Sequence, residues 1–115
     1  MSHARRRLDH FLVSVSLAAL LIGAGASAAA AQDATWIGTT NSYNTATNWD
    51  TNSVPTGTAF FGGTGNPNLS ITTLSATVGG WTLNSGAQNY TFINESLSQF
   101  SFNGAGVIVN GGSAT

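Results

Sequence analysis

Ala76 to Leu83 reads ATVGGWTL, and the fold turns on how that run is read. Trp81 and Leu83 fall on one face of an extended chain, Thr82 falls on the other, and Gly79-Gly80 separates them from Val78. Alternation of period two over about four to eight residues is the mark of a half-buried strand. The same pattern recurs on either side. Thr58 to Phe61 (TAFF) is short and aromatic, and Leu69 to Leu74 (LSITTL) alternates at Leu69 and Ile71. Tyr90 to Ile93 (YTFI) sets Tyr90 and Phe92 on one face, and Leu97 to Phe102 (LSQFSF) does the same with Phe100 and Phe102. Val107 to Val109 closes the series. The gaps hold Asn66-Pro67-Asn68, Asn84-Ser85-Gly86, Asn94-Glu95, Asn103-Gly104 and Asn110-Gly111-Gly112. Gly and Asn accept the positive φ of tight corners, so each gap reads as a turn. After Gln32 no segment combines a 3.6-residue apolar period with caps, and essentially no helix is expected there.

Strand starts at Leu69, Ala76, Tyr90, Leu97 and Val107 lie 7 to 14 residues apart. That spacing suits an antiparallel sandwich or the coils of a parallel β-helix. The outward positions favour the coils. They are Thr, Ser, Asn and Gly, whereas sandwiches usually carry charged outer faces. Stacked coils let Asn, Thr and Ser form ladders in which each repeat satisfies its neighbour. The expected fold is all-β: the start of a right-handed parallel β-helix after an N-terminal signal helix. An antiparallel β-sandwich is the alternative.

Charge divides the chain sharply. Its 115 residues include three basic and four acidic side chains. Arg5, Arg6 and Arg7 are the basic ones, His3 and His10 sit beside them, and Phe11 to Thr115 holds no Lys, Arg, His or Cys. A Cys/His zinc site, a Ser-His-Asp or Cys-His nucleophile and a disulfide framework are therefore excluded downstream. The cationic footprint of nucleic-acid binding is missing as well, so no nucleic-acid partner is expected. From Gln32 onward, Thr, Gly, Asn and Ser supply 47 of 84 residues. Recurring apolar runs and low net charge still argue for a folded chain over a disordered one.

The beginning reads as an export signal. Arg5 to Arg7 are followed by the apolar Phe11 to Ile22 (FLVSVSLAALLI) and the small-residue run Gly23 to Ala31. A positive start, an apolar stretch of about 7–15 residues and an A-x-A site define a secretory signal. Ala29-Ala30-Ala31 before Gln32 fits that site best, and Ala26-Ser27-Ala28 is a second candidate. A spanning anchor would need about 20 strongly apolar residues. Residues 1–31 are thus assigned to the signal, 32–63 to an N-terminal cap segment and 64–115 to β-strand repeats. The exported segment is expected in the periplasm, at the cell surface or outside the cell.

Between Ala34 and Gly63 stand Trp36-x-Gly38, Asn48-Trp49, Val54-Pro55-x-Gly57 and Ala59-Phe60-Phe61-Gly62. Val78-Gly79-Gly80-Trp81-Thr82-Leu83, Tyr90-x-Phe92 and Phe102-x-Gly104-x-Gly106-Val107 follow in order. This succession resembles the N-terminal passenger region of autotransporter-type surface proteins of Gram-negative bacteria, with their autotransporter-associated β-strand repeats. Trp81 departs from it, since an aliphatic residue is usual there, and Asn94-Glu95 stands where a Gly is usual. The resemblance implies a parallel β-helical passenger serving adhesion or surface display. Such proteins end in a barrel of at least eight strands of about 9–11 residues each. The expectation is a truncated or fragmentary member, or a stand-alone exported relative.

Few residues are candidates for chemistry. Trp36, Tyr43 and Trp49 could stack on sugar rings and serve a small secreted carbohydrate-binding module, the alternative function. Two Trp ahead of the repeats also suit a lid over the first coil, and large aromatics are mostly buried. Asp33, Asp50 and Glu95 are scattered, with no Ca²⁺-loop spacing and no paired-carboxylate arrangement. No enzyme activity, metal or cofactor is expected. Expected partners are surface glycans or proteins of a host or matrix, with self-association through the open last coil.

Overall fold

The computed structural model describes residues 29–95 and 97–115. The expected signal, and with it the signal helix, falls on residues 1–28 outside the described residues, apart from its last three positions. A compact unit spans Ala31–Thr115. Among the described residues seven strands follow one another: β1 (Ala34–Thr35), β2 (Thr58–Phe61), β3 (Asn68–Ile71), β4 (Ser75–Leu83), β5 (Asn89–Asn94), β6 (Gln99–Val109) and β7 (Ser113–Ala114). One turn of 3-10 helix, Ala46–Asn48, lies between β1 and β2.

From β2 onward the strands alternate between two sheets, ordered β1-β2-β4-β6 and β3-β5-β7. Every ladder is parallel. The chain is therefore a β-solenoid of about three coils. That corrects the antiparallel alternative, since from β2 onward consecutive strands lie in different sheets, β1 and β2 pair in parallel, and no hairpin forms among the described residues. Among the described residues the antiparallel pairing is one isolated bridge, Trp36 to Trp49. Thr58 pairs with Gly80, Asn68 with Thr91, Ser75 with Gln99 and Gly80 with Gly106, so the coil length runs from 22 to 26 residues.

Alternation places the apolar side chains between the sheets. Ala34, Ala59, Trp81 and Val107 occupy one inward column, and Phe61, Leu83 and Val109 occupy another. From the opposite sheet Leu69, Ile71 and Tyr90 complete the core. The filling is largely aromatic. Trp81 stacks on Phe92 at 4.0 Å between ring centroids, and Phe61 meets Tyr90 at 5.2 Å. Outside, the Thr77 and Ser101 hydroxyls sit 3.0 Å apart on successive coils, one rung of the anticipated hydroxyl ladder.

Glycine sets how closely the coils approach. A Cβ at Gly79 would lie 2.7 Å from the Gly57 carbonyl oxygen, and one at Gly104 would lie 2.6 Å from that of Gly79. Asn103-Gly104 is not the expected turn. It lies inside β6, where the register with β4 shifts between Val78 and Gly80. Val78 pairs with Phe102 but Gly80 pairs with Gly106, so two extra residues bulge from β6. The true corners repeat at Gly86 (φ 84°) and Gly112 (φ 64°), each closing an Asn-x-Gly sequence after a sheet strand.

Candidate functional site

The most elaborate construction in the chain precedes β2. Beyond β1 the chain loops away and returns antiparallel to itself at the Trp36–Trp49 bridge. The Ile37 N–H donates to the Asn48 carbonyl at 2.9 Å, and the Asp50 N–H donates to that of Thr35 at 3.0 Å. The same loop reaches the other sheet. The Ser70 N–H donates to the Asn41 carbonyl at 2.7 Å, and the Tyr43 N–H donates to that of Ser70 at 3.0 Å. One segment thus occupies the first edge of both sheets, where unpaired backbone groups would otherwise recruit foreign strands.

Trp36, Tyr43 and Trp49 are the pillars of this lid, with 0%, 1% and 1% of their surfaces exposed. Trp36 and Trp49 meet edge to face at 5.2 Å, and Tyr43 and Trp49 at 5.0 Å. Their polar tips are satisfied inside. Trp36 Nε1 donates to the Asn66 carbonyl at 3.0 Å, and Trp49 Nε1 donates to that of Tyr43 at 2.8 Å. Trp81 Nε1, from the next coil, donates to the Tyr43 hydroxyl at 3.1 Å. Rings buried to this degree offer no face on which a sugar could stack. Burial also pushes the Tyr43 phenol well above the ordinary tyrosine range, against a smaller opposing effect of the Trp81 hydrogen bond.

Asn48 organises the lid, which its sequence context alone did not reveal. It is fully buried and makes four hydrogen bonds. Its Oδ1 accepts the N–H groups of Thr39 and Thr40 at 3.2 and 3.3 Å. Its Nδ2 donates to Thr40 Oγ1 at 2.7 Å and to the Ser42 carbonyl at 2.8 Å. In the next coil Tyr90 ties its surroundings together in a similar way. Its hydroxyl donates toward the Gly62 and Thr64 carbonyls at 2.7 and 3.0 Å and accepts from Gln88 Nε2 at 3.3 Å. Burial raises its pKa too, with the Gln88 contact opposing.

The acidic residues are dispersed and serve the backbone. Asp33 Oδ1 accepts the Thr58 N–H at 2.7 Å, and Asp50 Oδ1 accepts the Thr35 N–H at 2.8 Å. Each therefore ties the lid segment to the first sheet. Glu95 Oε1 accepts the Ser70 hydroxyl at 2.7 Å. Among the described residues no three metal-ligating side chains gather, and no pocket opens.

Ala29, Ala30, Ala31 and Gln32 are exposed. Gln32 is nevertheless tied to the fold through its backbone. Its N–H donates to Thr56 Oγ1 at 3.1 Å, and its carbonyl accepts the Thr56 and Gly57 N–H groups at 3.0 and 2.8 Å. No protein-family model matches the chain, and neither curated proteins nor solved structures give a match.

Proposed function

We propose that the chain is a non-catalytic structural piece, the start of an exported autotransporter-like passenger used in adhesion or surface display. One observation supports this most. Most large aromatics of the lid and the first two coils turn inward, and the outer rows, Phe60, Ile93 and Ile108 apart, are mainly uncharged Thr, Ser and Asn. Such a surface binds through many weak hydrogen bonds spread over a rigid rod, as a display scaffold would. The coil is taken as right-handed, the hand of nearly all parallel crossovers. The proposed partners are glycans or proteins of a host or matrix surface, with no nucleic acid, cofactor or metal. The far edge of the third coil is a route to self-association. There β6 is paired on one side only, and Phe102, Val107 and Val109 are partly exposed.

The test expresses the full chain in a Gram-negative host and locates the product. Recovery from the periplasm, the outer surface or the medium, followed by retention on glycan- or matrix-coated plates, supports the reading. Product confined to the cytoplasm would refute it.

A further inference from the structure

The two ends of the solenoid differ, and the difference decides what can assemble on them. At the first coil the lid takes both sheet edges. The Asp50 N–H donates to the Thr35 carbonyl on one sheet, and the Ser70 N–H donates to the Asn41 carbonyl on the other. At the third coil β6 pairs only with β4 among the described residues, and its other edge runs for 11 residues. Proteins commonly blunt such an edge with Lys, Pro or an inward charge. Residues 97–115 contain no Pro and no charged side chain. The acidic groups sit toward the lid. Asp33 and Asp50 tie the lid segment down, and Glu95 bonds Ser70 of the coil before it. Inward side chains remain partly open at this end: Phe102, Val107 and Val109 are 37%, 46% and 50% exposed.

We infer that this edge binds a second copy of the chain, tail to tail about a two-fold axis, as a closed dimer. The inference rests on the reading of β6 as a route to self-association, and adds its partner and register. Head-to-tail stacking would run on as a filament, but it needs the first-coil edges that the lid occupies. A two-fold axis instead sets β6 antiparallel to its own copy, with the uncharged ends together and the acidic lids apart. Residues directly opposite in an antiparallel pair share a face. Phe100 and Phe102 face the core, with ring centroids 5.0 and 5.1 Å from that of Trp81. Val107 and Val109 continue the inward columns of Trp81 and Leu83. Inward positions are thus even-numbered before the bulge and odd-numbered after it. An axis through a residue would set inward against outward on both arms. An axis between Gly104 and Ala105 sets Phe102 opposite the partner's Val107 and Phe100 opposite the partner's Val109. The two bulges then meet at the axis through small residues, and Ser101 lies opposite the partner's Ile108 on the outer side. The 11 residues of β6, with the bulge, and two sheets about 10 Å apart with their side chains give an end of about 30 by 20 Å. That is about 600 Å² a side, near the lower limit of about 1,200 Å² in total for stable pairs.

The chain has no cysteine, so two single variants, Ser101→Cys and Ile108→Cys, test partner and register together. Both positions face outward, and neither change enters the core. Each variant is made by full-chain expression, purified and checked for the parent's circular dichroism. Mixed under mild oxidant, the two are expected to give a band at twice the chain mass that reductant abolishes. Each alone is expected to stay single, because its two copies would lie about 23 Å apart along the strands, beyond disulfide reach. Light scattering on the unsubstituted chain is expected to double in mass with concentration and then level off. Equal cross-linking by one variant alone would overturn the register, and mass growing past two chains would overturn the closed dimer. A monomer at every concentration, or a cross-link to a different protein, would overturn the second copy as occupant. In each of these cases, product still exported and retained on coated plates would leave the passenger reading standing.

Discussion

Replacing Asn48 with Ala removes the centre of the lid without touching any ring. Two short bonds to Thr40 Oγ1 and the Ser42 carbonyl are lost, with two longer ones from the Thr39 and Thr40 N–H groups. Thr39 and Thr40 are exposed, so water can take over some of that loss. The two short bonds and the vacated volume dominate, at about 2–4 kcal/mol together. For a domain of this size that corresponds to a fall in Tm of about 10–25 °C. Thermal denaturation followed by far-UV circular dichroism measures it, and tryptophan fluorescence reports the lid. A Tm within about 3 °C of the parent would refute the assignment of Asn48 as organiser. Asn48→Asp sharpens the test. It keeps the accepting oxygen but faces the Ser42 carbonyl with another oxygen. Burial and that oxygen raise the folded pKa above the unfolded value of about 3.9. The raised pKa makes the Asp variant's stability fully present below about pH 4, and lost as pH climbs through the folded pKa. A pH-independent melting difference between this variant and the parent would count against the described geometry.

Other outcomes follow from single features. Gly79→Ala is expected to cost about 2 kcal/mol or more, because its Cβ would meet the Gly57 carbonyl at 2.7 Å, whereas Gly62→Ala has nothing within 4 Å and stays near neutral in urea unfolding. Trp49→Ala is expected to cost about 3–5 kcal/mol. Unchanged stability with loss of retention on a glycan surface would return that ring to a binding role. Tyr43 and Tyr90 have folded pKa values above the ordinary 10.0, so their contribution is complete below about pH 10 and declines as pH rises beyond it. An alkaline melting series shows this, and a flat profile would contradict it. Self-association through β6 separates two adjacent residues. Val107→Lys, in the inward column, is expected to shift a dimer to monomer in light scattering, while Ile108→Lys, on the outer face, leaves it unchanged. Equal behaviour of the two would exclude pairing through that edge.

Much of the solenoid was legible because alternation is local. Thr58 to Phe61 matched β2 end to end, and Ala76 to Leu83 fell one residue short of β4. Asn103-Gly104 misled because the same residue types serve a corner and a bulge. Only the neighbouring coil decides between them, through the approach of Gly104 to the Gly79 carbonyl. β1 and β7 are two residues each, too short for any period. They extend because an adjacent strand templates them. The stacking also reaches further back than expected, since β2 lies within residues 32–63 and already pairs with β4. The burial of Trp36 and Trp49 agreed with the usual fate of large aromatics. Asn48 did not stand out, since Asn in a Thr-rich loop signals a turn, and its interior position arises from a chain reversal between distant residues. Trp81, read as a departure from the family's aliphatic position, is where the second coil grips Tyr43 of the lid.

The bulge in β6 bears on how such a rod could lengthen over generations. Its two additional residues are absorbed beside Gly79 and Gly80, and the ladder resumes in phase on the far side. The unit of inheritance is then the strand with its glycine, not a fixed count of codons. An imprecise duplication, a few triplets long or short, could still add a working coil, provided the glycines fall where neighbouring backbones touch. Descendants of one ancestral segment would soon differ in length and drift apart in wording while keeping the same silhouette.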